Sequence, residues 1–109
     1  MSFTYDDILD SVLIFKKKTN ERIKGSATIG NLVLDFTKEG QVVGLEIRKA
    51  SEFFKTMGFR ESADKIKTAD FQVESQHNGL ILFLQLKLEK QAQKLPLFVS
   101  IEQPLFATA

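Results

Sequence analysis

From Asn31 to Ser51 the chain reads NLVLDFTKEGQVVGLEIRKAS, and its apolar residues change phase twice. Leu32, Leu34 and Phe36 fall on one face of an extended chain, and Val43, Leu45 and Ile47 do the same after the polar break Lys38-Glu39-Gly40-Gln41. This predicts a β-hairpin. Gly40 supplies the positive φ that a short loop needs and that a Cβ makes costly. The period then lengthens to that of a helix, with Ala50, Phe53, Phe54 and Met57 at i, i+3, i+4 and i+7. Ser51 is the expected N-cap and Gly58 the expected left-handed stop. The two phenylalanines are the expected anchors of this short helix on the sheet, each contributing roughly 1.5 to 3 kcal/mol when fully buried.

Upstream, Phe3-Thr4-Tyr5 is a candidate first strand, ended by Asp6-Asp7, whose carboxylates favour turns by accepting from nearby backbone N–H groups. Ser11 to Phe15 is a β-branched and aromatic run, the expected second strand, and Lys16 to Asn20 ends it. Glu21 to Ala27 extends a strand or forms a loop, with Gly25-Ser26 favouring an interrupted edge. Downstream, Glu61 to Lys67 has only Ala63 and Ile66 to bury, so a brief second helix and a structured loop both fit. Period two returns at Phe71 to Ser75. Gln76-His77-Asn78-Gly79 follows, and its Asn-Gly pair favours a type I′ hairpin turn. In Leu80 to Glu89 the five even-numbered leucines share one face. Ile81 and Phe83 make the first half apolar on both faces, before the outer face turns polar at Gln85. Lys90 to Lys94 is the next turn. Leu95, Leu97, Val99 and Ile101 then point inward, Pro96 marks an edge because it has no backbone donor, and Gln103-Pro104 ends the strand.

The order is three or four strands, a helix, a connector and three more strands. That predicts an α+β fold, mainly antiparallel β-meanders with one amphipathic helix, forming two layers of a sandwich or a partly closed barrel. With 109 residues, 43% hydrophobic and 27% charged, one domain over residues 1–109 is expected. Such a chain buries roughly two-thirds of its unfolded surface. No cysteine is present, which excludes thiol catalysis, Cys-ligated zinc and iron–sulfur clusters and fits a cytoplasmic location. The N-terminus lacks the basic and apolar pattern of a secretory signal, and the longest apolar run, Leu80 to Leu84, is far short of a membrane span. Charge is spread evenly: residues 1–58 carry 9 Lys/Arg against 8 Asp/Glu, and residues 59–109 carry 6 against 6, for a net +1.

Several polar positions carry a resemblance. Tyr5, Asp6 and Asp10 precede an apolar strand. Leu34-Asp35, Gly40, Val43-Gly44 and Glu46-Ile47 follow, and then Ala50-Ser51. In this spacing the chain resembles the small bacterial and archaeal proteins grouped as domain of unknown function 2283, over residues 3–58. The resemblance implies a β-meander backed by a helix and almost no chemistry. It also hints at protein binding, because some members look like partners encoded beside small toxin-like proteins. The chain departs from the pattern at Thr37-Lys38-Glu39, where aspartates are usual. Residues 59–109 are a β-rich C-terminal extension that the resemblance does not explain; because family members are usually short, the resemblance raises the expectation that this extension covers a surface which shorter members cover by dimerising.

Candidate chemistry is sparse. His77 is the one histidine and lies in a polar turn; with no second histidine and no cysteine it makes a poor transition-metal site. Asp35 and Glu46 occupy the solvent-side phase of the two hairpin strands, where pairing brings the strands side by side. Two adjacent carboxylates divide acid and base roles or hold a cation; alternatively they are plain exposed residues or partners of Lys38 and Arg48. The Lys16-Lys17-Lys18 cluster with Arg22 and Lys24 has only Phe15 as an adjacent aromatic, and with a near-zero net charge nucleic-acid binding is disfavoured. Asp6, Asp7 and Asp10 lack the oxygen-rich loop and bidentate Glu of an EF-hand, and turn formation accounts for them. No Ser-His-Asp order, phosphate loop or dinucleotide fingerprint is present. No catalytic residue, metal or cofactor is assigned. The first expectation is a non-catalytic interaction module that self-associates or binds a small protein through an exposed edge or apolar face, with Phe83, Pro96 and Phe98 as the interface residues. The rival is a hydrolase, metal binder or small-molecule binder with a cavity between the β layers lined by Asp35, Glu46 or His77.

Overall fold

The computed structural model describes residues 2–16 and 22–100. Within them the order is β1 (Ser2–Asp6), β2 (Ser11–Phe15), β3 (Ile23–Ile29), β4 (Leu32–Thr37), β5 (Val42–Arg48), helix α1 (Ala50–Thr56), a 3-10 turn at Ala63–Lys65, β6 (Thr68–Gln76), β7 (Gly79–Lys87) and β8 (Ala92–Ser100). The fold is α+β. A five-stranded sheet runs β1-β2-β5-β4-β3 and a three-stranded sheet runs β6-β7-β8, every pairing being antiparallel. The sheets do not close into a barrel, which removes the barrel alternative. The first sheet is also not a simple meander, because β2 pairs with β5 and thereby inserts the β1–β2 hairpin beside the last strand of the β3–β4–β5 run. Five strands rather than three or four precede the helix. The extra one is β3, whose pairing with β4 shifts register between Ile23 and Gly25, the interrupted edge that Gly25 favours.

Register explains which residues are buried. Val12 and Ile14 of β2 stand opposite Ile47 and Leu45 of β5, which in turn stand opposite Leu32 and Leu34 of β4. These six side chains fill one face of the first sheet. On the second sheet Phe71 of β6, Leu84 of β7 and Leu95 of β8 share a row, as do Leu80 and Val99. The inward residues of both sheets, together with Ala50, Phe54, Phe59, Ala63 and Ile66, form one continuous apolar core. β6 lies against β1 and β2. Lys16, which follows β2, reaches across to it: Nζ donates to the Phe71 carbonyl at 2.7 Å, sits 4.8 Å from the centre of the Phe71 ring and lies 3.6 Å from Asp70.

The helix is capped differently from the expectation. Ser51 is not its N-cap; Lys49 holds that position with a left-handed φ of 52° and no side-chain cap bond. The capping acceptor is Asp10, from the β1–β2 turn, whose carboxylate receives the Ser51 N–H. A local cap was displaced by a partner 41 residues away because the β2–β5 pairing sets that turn against the helix start. Phe54 is the principal anchor, 1% exposed, and stacks edge-on against Phe59 at 5.5 Å, whereas Phe53 is half-buried. Gly58 (φ 88°) and Gly40 (φ 85°) take the left-handed conformations expected of them. The connector forms a single 3-10 turn in place of a second α-helix.

The β6–β7 hairpin departs from the Asn-Gly reading. Gln76 pairs with Gly79, so the two loop residues are His77 and Asn78, and neither has a positive φ. Leu80 and Leu82 pair with Ser75 and Val73; an Asn78-Gly79 loop would move the register by two residues, leaving the leucines on the same face but setting Phe71 opposite Leu86 instead of Leu84 and breaking the Phe71-Leu84-Leu95 row. Likewise β8 begins at Ala92, not Leu95, because the turn closes earlier through the Leu88 N–H bond to the Gln91 carbonyl. The expectations for Ile101, for the end at Gln103-Pro104 and for Lys17 and Lys18 lie outside the described residues.

Candidate functional site

Asp35 and Glu46 both lie on the outward face of the first sheet, so no cavity between the layers is lined by them. They are not directly opposite each other. Asp35 faces Gly44, and Glu46 faces Val33 and Leu13, which sets the two carboxylates on a diagonal. Each has its own partner: Ser26 donates its hydroxyl to Asp35, and Arg48 Nε donates to Glu46 Oε2 at 3.0 Å. His77 is exposed at a hairpin tip of the other sheet. The three residues therefore do not converge. Among the described residues no group of three or more His, Cys, Asp or Glu side chains is placed to hold a metal ion, and no helix is long and apolar enough to cross a membrane.

Asp35 instead has a packing role. A Cβ built on Gly44 would lie 2.9 Å from Asp35 Oδ2 and 3.1 Å from Phe15 Cε2. Only glycine at 44 lets the Asp35 and Phe15 side chains settle on the sheet surface there.

The polar cluster that the fold does assemble is Tyr5, Asp10 and Ser51. Tyr5 Oη donates to Asp10 Oδ1 at 2.8 Å, Ser51 Oγ donates to the same oxygen at 2.8 Å, and the Ala50 N–H donates to the Asp10 carbonyl at 2.8 Å. Burial pushes the Asp10 carboxyl up, but the hydrogen bonds from the Tyr5 and Ser51 side chains and the Ser51 backbone outweigh it and hold the group below its ordinary value. The Tyr5 phenol is shifted the other way: the Ser51 hydrogen bond lowers it, and the hydrogen bond to Asp10, burial and the charges of Asp10 and Asp7 together raise it. Asp10 stands in a left-handed conformation, φ 51°, which a short polar side chain tolerates better than most. All three residues are part of the spacing that carried the family resemblance; their convergence was missed because 41 residues separate Asp10 from Ser51. With all the hydroxyls donating into one carboxylate, this is a structural clasp with no free nucleophile.

The remaining candidates, Phe83, Pro96 and Phe98, do come together. On the outer face of the second sheet Phe83 stands opposite Pro96, and Ile81, the next outward residue of β7, stands opposite Phe98. Phe98 is 62% exposed, and Lys94 Nζ lies 4.7 Å from the centre of the Phe83 ring. In the next row Asp70, Gln85 and Lys94 run across β6, β7 and β8. Ile81 and Phe83 are half-buried, so the first half of β7 is not enclosed on both faces as its sequence suggested. This is an apolar patch with an acidic residue on one side and a basic residue on the other.

Comparison with known proteins agrees with the polar spacing. Residues 2–51 match the family described as Protein of unknown function (DUF2283). That segment covers the first sheet and the helix start, including Tyr5, Asp10, Asp35, Gly44 and Ser51. No curated protein and no solved structure matches the chain.

Proposed function

We propose that this chain, DUF2283-like over its first half and extended by a second sheet, is a non-catalytic protein-interaction module whose partner is a second copy of itself. The observation that carries the reading is the Ile81, Phe83, Pro96 and Phe98 patch, in which a phenylalanine on the outer strand β8 is mostly exposed. Contiguous apolar surface of this kind marks contact sites. Docking through the face is favoured over extension of the β8 edge, because Pro96 has no N–H to offer a new strand and edge prolines block pairing.

A copy is the occupant that charge favours. The net charge of +1 opposes self-association little. A two-fold axis running along β7 sets the β6 column of one protomer over the β8 column of the other, so that Asp70 meets Lys94 twice while Phe83 meets Phe83 on the axis. Phe98 then covers the aliphatic stem of Glu74. Light scattering of the full chain is expected to give twice the monomer mass, and Phe83→Asp to give a monomer that still melts cooperatively, at a temperature no longer dependent on protein concentration. Because the chain has no cysteine, Ile81→Cys provides a clean test of the axis: it should form a copy-to-copy disulfide on oxidation, and Thr68→Cys should not. A chain that is monomeric at every concentration overturns the proposal.

A further inference from the structure

We infer that the tip of the β1–β2 hairpin, Ile8 and Leu9, is a docking plug for a partner protein that presents an apolar pocket rimmed by lysine or arginine. Ile8 is 90% exposed and Leu9 72%, the two highest values for large apolar side chains among the described residues. Neither side chain serves the fold. The turn is shaped by its neighbours: Asp6 Oδ1 accepts the N–H groups of both Ile8 and Leu9 at 3.0 Å, and Asp10 is bound to Tyr5 and Ser51. Polar residues at 8 and 9 would satisfy the same turn with less exposed apolar surface, so the turn itself does not call for the pair. Tethering the tip at both ends also removes much of the ordering cost that a flexible loop would incur on binding.

Charge selects the partner. Asp6 and Asp7 flank the tip and are exposed, and Asp10 joins it to the start of α1, whose N-cap is Lys49 and whose first turn carries Glu52. Such a surroundings repels anionic lipid headgroups and suits a cationic rim around an apolar pocket. This surface belongs to the first sheet and is independent of the patch on the second, so either is testable without the other.

The test places the photo-crosslinker p-benzoylphenylalanine at position 8 of the full chain in extract of the source cells. The expected result is a discrete adduct with one other protein, mapped by mass spectrometry to apolar residues flanked by Lys or Arg. Its yield should fall several-fold with Asp7→Lys and with added salt. With that protein purified, Ile8→Ser combined with Leu9→Ser should weaken binding at least ~tenfold, while the melting temperature stays unchanged because both side chains are solvent-exposed. The inference is overturned by a yield no higher than from the same probe at position 87, by an adduct insensitive to Asp7→Lys, by an adduct only between two copies of this chain, or by sedimentation of the protein with phosphatidylcholine–phosphatidylglycerol vesicles that is lost in the Ser variant.

Discussion

Asp10 ties together three segments: the strand carrying Tyr5, the hairpin turn and the first turn of α1. Its carboxyl titrates below its unfolded value in the folded protein, so the stability it contributes is present above the unfolded pKa of about 3.9 and is lost as pH falls through the folded value. Tyr5 has the opposite sign: its contribution is full below about pH 10 and is lost as pH rises through its raised folded value. Melting curves of the parent chain and of Asp10→Asn should therefore differ most between these limits and converge below about pH 4. At neutral pH Asp10→Ala should cost about 1 to 2 kcal/mol, the upper part of the range for a lost helix cap. Gly44 makes a second residue-scale prediction. Gly44→Ala should destabilise by roughly 1 to 3 kcal/mol through overpacking against Asp35 and Phe15. Adding Asp35→Ala, which removes the nearest oxygen, should recover part of that loss in a denaturant titration.

The elements differ in how far sequence pattern alone foretells them. The β4–β5 hairpin is legible because its alternation and its glycine agree, and buried Thr37, 2% exposed, closes the loop by accepting the Gln41 N–H and bonding its own N–H to the Gln41 carbonyl. α1 is legible in period and stop signal but not in its cap, since capping by Asp10 needs the tertiary fold. Its two phenylalanines separate here: Phe54→Ala should cost about 3 to 5 kcal/mol, as expected for a fully enclosed ring, and Phe53→Ala clearly less. Equal losses in thermal melts would contradict the packing described. The β6–β7 turn shows the limit of local chemistry, because the preference of Asn-Gly for a type I′ loop yields to the cross-strand row of Phe71, Leu84 and Leu95, which the two-residue change of register would break. The diagonal of Asp35 and Glu46 was likewise not legible, because pairing two strands from their turn does not reveal the irregularity between Asp35 and Phe36.

At the scale of the molecule, both sheets contribute to one core. A chain ending at residue 58 would expose Val12, Ile14, Leu34, Leu45 and Phe54 at once, and should aggregate or unfold; a soluble, cooperatively melting 1–58 fragment would show that the second sheet is dispensable. The sequence by itself determined the α+β class, the alternating strands, the helix with its glycine stop, the lack of cysteine chemistry and the polar spacing shared with DUF2283, because these follow from side-chain periodicity, composition and local backbone preference. Tertiary structure alone decided the insertion of the β1–β2 hairpin beside β5, the convergence of Tyr5, Asp10 and Ser51, the separation of Asp35, Glu46 and His77, and the meeting of Ile81 and Phe83 with Pro96 and Phe98. Those outcomes depend on strand order and register, which are selected by burying all the inward rows together and leave no mark on any single stretch of chain.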